Sequence, residues 1–123
     1  MFHNFNFDYD SEQDSLFIYN PKFKSKASVE IEDIIIDFNS NKEISAIELL
    51  DASEFLSNLD LDENIDIKEL LRTIKECKLD IITKDNFFVI KFVLISKSNK
   101  KITTPLLIPT INNPSPALAE IMN

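Results

Sequence analysis

The stretch Asn58–Glu69, NLDLDENIDIKE, places oxygen-bearing side chains at alternate positions, the pattern by which a loop can surround a hard divalent cation. Laid on the calcium loop of an EF-hand, Asn58, Asp60, Asp62, Asn64 and Asp66 fall on successive ligand positions. Glu69 takes the terminal bidentate position and Ile65 the aliphatic one. Two departures weaken the match: Asn58 stands where the first aspartate belongs, and Glu63 occupies the position whose sharp turn needs glycine. The segment before it is also short for a paired-helix scaffold. The plainer reading is an acidic loop whose Asp66 caps the next helix.

A second carboxylate set, Asp8, Asp10, Glu12 and Asp14, with Glu48 and Asp51 further on, could bind a divalent ion or divide acid and base roles if burial raised one pKa. Turn chemistry explains the same residues. The chain contains no glycine, so its reversals fall to Asn, Asp, Ser, Lys and Pro. A nucleophilic site would need Cys77 or a serine beside a base, and the one imidazole is His3, close to the start of the sequence. Cys77 ends an apolar helical stripe and reads as a small core residue. No catalytic or cofactor-binding set emerges.

The elements that would position these groups follow from periodicity. Phe5, Phe7 and Tyr9 alternate with polar residues as a first strand, Asp10–Asp14 is a turn, and Leu16–Tyr19 is the second strand of a hairpin. Val29 and Ile31 alternate in one register and Ile34, Ile36 and Phe38 in the other. A bulge at Glu32 and Asp33 would bring both sets to one side. Asn39–Lys42 form a turn, Ile44–Leu50 another strand, and Asp51 or Ser53 caps a helix beginning near Ala52. Ile67, Leu70, Leu71, Ile74 and Cys77 recur at helical spacing, which predicts the principal helix, with Asp66 and Glu69 as a capping pair. Leu79–Ile82 begins a strand, Lys84–Asn86 turn the chain, and Phe87–Ile95 is a strand apolar on both faces. One of those faces calls for a second layer or a second copy of the chain. Thr103–Ile108 is a last strand placed at an edge by Pro105, and Asn112–Pro116 break the chain before a short helix at Ala117–Met122.

Composition limits what such a domain can do. Without glycine neither a P-loop nor a dinucleotide fingerprint can be written. A net charge of −8 opposes nucleic acid, and Lys22, Lys24 and Lys26 read as a charged edge or turn. One cysteine allows no intrachain disulfide and suits a reducing, cytoplasmic setting. No signal peptide or membrane span is expected.

YDSEQDSLFIY (Tyr9–Tyr19) and IEDIIIDFNSNKEISAIELLDAS (Ile31–Ser53) carry a family resemblance. Tyr9, Asp10, Glu12, Asp14, Leu16 and Ile18, then Asp37, Ile44, Ile47, Glu48 and Leu50–Ser53, match the pattern of the domain of unknown function 2283 family over about residues 5–57. Lys42 and Ala46 stand where that pattern has glycine. The resemblance implies a four-stranded antiparallel meander followed by a helix and no established activity. An antitoxin-like partnership with a small toxin is one role consistent with it.

Together these readings predict one α+β domain over residues 1–123: a meander over about 5–57, then a helix-plus-strands extension over about 58–123. The sheet should be antiparallel, with six or seven strands, one main amphipathic helix and short additional helices. The expected function is a self-associating or protein-binding module, with a homodimer formed through the strand at 87–95. The alternative is a calcium-binding domain using the loop 58–69; an enzyme ranks last.

Overall fold

The computed structural model describes residues 2–58, 65–83 and 87–109. It contains eight strands, β1 (His3–Asp10), β2 (Ser15–Tyr19), β3 (Ala27–Ile31), β4 (Ile34–Phe38), β5 (Ile44–Leu49), β6 (Ile74–Thr83), β7 (Phe87–Ser96) and β8 (Lys101–Pro109). Two helices of six residues each, α1 (Ala52–Ser57) and α2 (Ile67–Arg72), complete it. The expected α+β class with an antiparallel sheet is present, but eight strands replace the six or seven anticipated. The short helix expected near Ala52 is present as α1, and in place of the single main helix stands the six-residue α2.

Contacts divide the chain into two compact units, one built on Asn6–Ala52 and the other on Ser53–Thr110 together with the start of β1. In the first, the strand order is β3-β4-β5-β2-β1, every neighbour antiparallel. This is not a meander: β2 lies beside β5, so the chain crosses over between β2 and β3. The alternating residues Leu16, Ile18, Val29, Ile34, Ile36, Phe38, Ile47 and Leu49 share one buried face.

The bulge expected at Glu32 and Asp33 is instead a complete two-residue hairpin turn, with Ile31 opposite Ile34 and Val29 opposite Ile36. Glu32 has φ 51°, the positive value that such a tight turn demands. The change of register between the two apolar sets is therefore the mark of a reversal. The next turn is wrapped by Asn39, 6% exposed, whose Oδ1 accepts from the N–H groups of Asn41 and Glu43, both at 2.9 Å. Lys42 in the same turn adopts φ 67°.

In the second unit, His3–Phe5 of β1 pair with β6, then β7 and β8 follow in order. The long helix read from Ile67 to Cys77 ends at Arg72. Thr73 N–H donates to the carbonyls of Glu69 and Leu70, and its hydroxyl donates to Glu69 O at 2.7 Å. From Ile74 the chain is extended. Ile74 and Cys77 suit a helix, but Cys77 and Leu79 also fit a strand, and pairing with the apolar β7 settles the competition. The cap at Asp66 is as expected, Oδ1 accepting from Glu69 N–H at 3.2 Å. Leu70 and Leu71 are buried, and α2 packs on β7. Across the sheet, Cys77, Leu94 and Ile102 line up, as do Leu79, Phe92 and Thr104, all buried. The turn at Lys84–Asn86, the break at Asn112–Pro116 and the short helix at Ala117–Met122 lie outside the described residues. No helix among the described residues is long and apolar enough to cross a membrane.

Candidate functional site

Two carboxylates of the first hairpin, Asp10 and Asp14, are engaged in shaping it. Asp10 Oδ1 accepts from the N–H groups of Glu12 and Gln13 at 3.0 and 3.1 Å, an Asx-type turn. Tyr9 donates its hydroxyl to Asp14 at 2.6 Å, and Ser15 Oγ lies 3.4 Å from Glu48 Oε2. Asp14 and Asp51 both have positive φ, 53° and 48°. The backbone of the Leu50–Ala52 segment ties two other turns together: Leu50 N–H donates to Asp33 O, and Ala52 N–H to Asp14 O, each at 2.8 Å. Asp10 and Asp14 thus serve the turn of the first hairpin, whereas Asp8 lies within β1.

Of the residues laid on a calcium loop, Asp60, Asp62 and Asn64 lie outside the described residues. Asn58 follows α1, Asp66 caps α2, and Glu69 is exposed in its first turn. Asp66 and Glu69 line a cleft of about 160 Å³ between α2 and the β7–β8 turn, shared with Thr73, Ser96, Lys97 and Lys100. The two lysines lower the cleft's attraction for a cation. Among the described residues no three acidic, His or Cys side chains gather as a metal-binding group.

His3 and Cys77 do not form a nucleophile pair, since His3 is exposed and Cys77 buried. Burial pushes the Cys77 thiol from 9.0 up to about 12, so it is protonated and unreactive at neutral pH.

The outward face of the first unit holds a different arrangement. Asp8 stands opposite Phe17, Phe17 opposite Glu48, Glu48 opposite Ile35, and Ile35 opposite Glu30. One row across five strands therefore alternates acid, aromatic, acid, aliphatic, acid. The adjoining row is Asn6, Tyr19, Ala46, Asp37 and Ser28. Phe17 stacks on Tyr19, ring centroids 5.0 Å apart and planes inclined by 19°. Phe17 is 37% exposed; with Phe2 at 43%, it is one of two large apolar side chains so exposed among the described residues. Neither row contains a lysine or arginine. The sequence held part of this, because Phe17 and Tyr19 alternate with the core residues Leu16 and Ile18 and so had to point outward. Their acidic neighbours come from the pairing of β2 with β5, which no local pattern announces.

This is a β-rich scaffold whose turns absorb many of its acids and whose open sheet face presents others around an aromatic pair. Residues 6–53, which take in the Asn6–Ala52 stretch of the first unit, match the family described as "Protein of unknown function (DUF2283)". The chain is 39% identical over 79 residues to an uncharacterised protein of Methanocaldococcus jannaschii, covering 63% of this chain and 62% of that one. It is 35% identical over 96 residues to a protein of Methanosarcina mazei named putative hypoxanthine phosphoribosyltransferase, covering 76% of this chain and 71% of the relative. No solved structure matches it.

Proposed function

We propose that the protein is a protein-binding module working through the outward face of its first unit. The observation that carries this reading is the stack of exposed Phe17 on half-buried Tyr19, on a face whose two rows hold four acids and no basic residue. Aromatic side chains contribute much contact area at low entropic cost, so exposed ones mark recognition surfaces. An antitoxin-like partnership is one form such a module takes. The test is a photo-crosslinking residue placed at Phe17 in the full chain inside cells, with Lys22 as the control position. The expected result is a discrete adduct from Phe17 alone, with a protein that then binds the purified chain and is lost with Phe17→Ser. Adducts of equal yield from both positions would count against it.

Self-association through Phe87–Ile95 is less well supported. On the face of β7 carrying Val89, Lys91, Val93 and Ile95, Val93 is 7% exposed, and Lys91 lies opposite Asp80 and Val93 opposite Lys78. A second copy docked there would also cover those charges, at a desolvation cost. Light scattering at micromolar concentration should show a monomer; a dimer abolished by Val89→Lys would restore the homodimer.

Calcium binding by Asn58–Glu69 is the second reading. In its favour, Asp66 caps α2 and the terminal acid Glu69 lies in the first turn of that helix; Lys97 and Lys100 oppose it. Calorimetry with calcium giving neither heat nor a rise in Tm removes it. Hypoxanthine phosphoribosyl transfer, suggested by the name of the Methanosarcina relative, gains little here. A chain with no glycine cannot form a Gly-rich phosphate loop, and its net charge of −8 disfavours a polyphosphate substrate.

A further inference from the structure

From the spacing of the outward row we infer that the partner is a basic protein segment, laid across the strands with a cation at every third residue of an extended, polyproline-like chain. This rests on the docking reading above and adds the chemistry of the occupant. Asp8, Glu48 and Glu30 lie on alternate strands of the five. Neighbouring strands are about 4.8 Å apart, so successive carboxylates are spaced by roughly 9.6 Å. A polyproline helix rises about 3.1 Å per residue with three residues per turn. Every third side chain then points the same way at a spacing of about 9.3 Å.

The positions between the carboxylates are filled by Phe17 and Ile35, which would meet the aliphatic stems of the basic residues. The Phe17–Tyr19 stack offers an aromatic face to a guanidinium. Among the described residues none of the three acids makes an ion pair that would have to be broken first. The net charge of −8 would speed the approach of a basic partner.

Two peptides of identical composition test this, one with arginines at every third position among prolines and alanines, the other with the arginines in one block. Binding to the full chain is followed by NMR chemical shifts and anisotropy. The expected result is shifts centred on Phe17, Ile35 and Glu48. The spaced peptide should bind about tenfold more tightly than the blocked one. Phe17→Ser should weaken the spaced peptide about threefold, in line with the loss of an exposed cation–aromatic contact, and Glu48→Lys about tenfold or more. Unchanged circular dichroism and Tm certify that both variants are folded. Equal binding of the two peptides, or shifts scattered over Glu12, Glu32 and Glu76 without dependence on Phe17, would overturn the inference. So would tighter binding of single-stranded RNA or anionic vesicles. If the spaced peptide fails while the crosslink at Phe17 still yields its partner, the occupant's chemistry is wrong and the docking face stands.

Discussion

The two units solve the same problem, reversing a chain that has no glycine, in different ways. In the Asn6–Ala52 unit the strands are short and the reversals frequent. Four of the five described residues with positive φ lie there: Asp14, Glu32, Lys42 and Asp51. In the other unit β6, β7 and β8 run for nine or ten residues, and Asn99 alone has positive φ among the described residues. The first unit accepts local strain and holds it with side-chain and backbone ties. The second relies on long ladders and a dense apolar face. Asn and Asp tolerate the left-handed region, so the strain falls mainly on Glu32 and Lys42.

The largest loss of stability is expected in the long-stranded unit. Phe92, 1% exposed at the centre of β7 between Leu79 and Thr104, should cost about 3–5 kcal/mol when changed to alanine, read by urea unfolding. The corresponding test in the short-stranded unit is Asn39→Ala, which leaves two N–H groups without their acceptor. A loss of about 2 kcal/mol is expected, and a loss under a few tenths would show that water replaces the side chain. Lys42→Gly should move the other way, raising stability by about 1 kcal/mol, whereas Asn99→Gly should be near neutral. Equal effects at both positions would erase the proposed difference in strain.

A further effect is confined to alkaline pH. The folded Cys77 thiol keeps its proton up to about 12, while the unfolded one loses it near 9.0. Its contribution is therefore complete below pH 9 and falls away as pH rises toward 12. Chemical unfolding of the parent chain should weaken more steeply across that window than unfolding of Cys77→Ala. Parallel slopes would mean that the thiol is not buried as described.

Much of the fold was legible because its signals are local. The Asp10–Asp14 turn, the strand at Leu16–Tyr19 and the Asp66 cap all follow from residue types a few positions apart. The Glu32–Asp33 reversal was not, since a bulge and a two-residue turn produce the same shift in apolar register. The end of α2 was hidden because Ile74 and Cys77 satisfy a helical period while Cys77 and Leu79 satisfy an extended one. Only contact with β7 distinguishes them. The candidate face was half visible: one strand declared its aromatic residues, but the carboxylates beside them arrive through strands distant in sequence.

The tie between Leu50–Ala52 and the turns at Asp33 and Asp14 also bears on time. Its two hydrogen bonds join the end of β5 to reversals far earlier in the chain, so they can close only after both hairpins have formed. Interactions made that late are largely absent from the folding transition state, and they slow unfolding more than they hasten folding. The Leu50–Ala52 segment thus acts as a latch on the finished sheet. Loosening it, as with Asp51→Pro, should shorten the lifetime of the folded state while leaving the refolding rate nearly unchanged in a stopped-flow chevron.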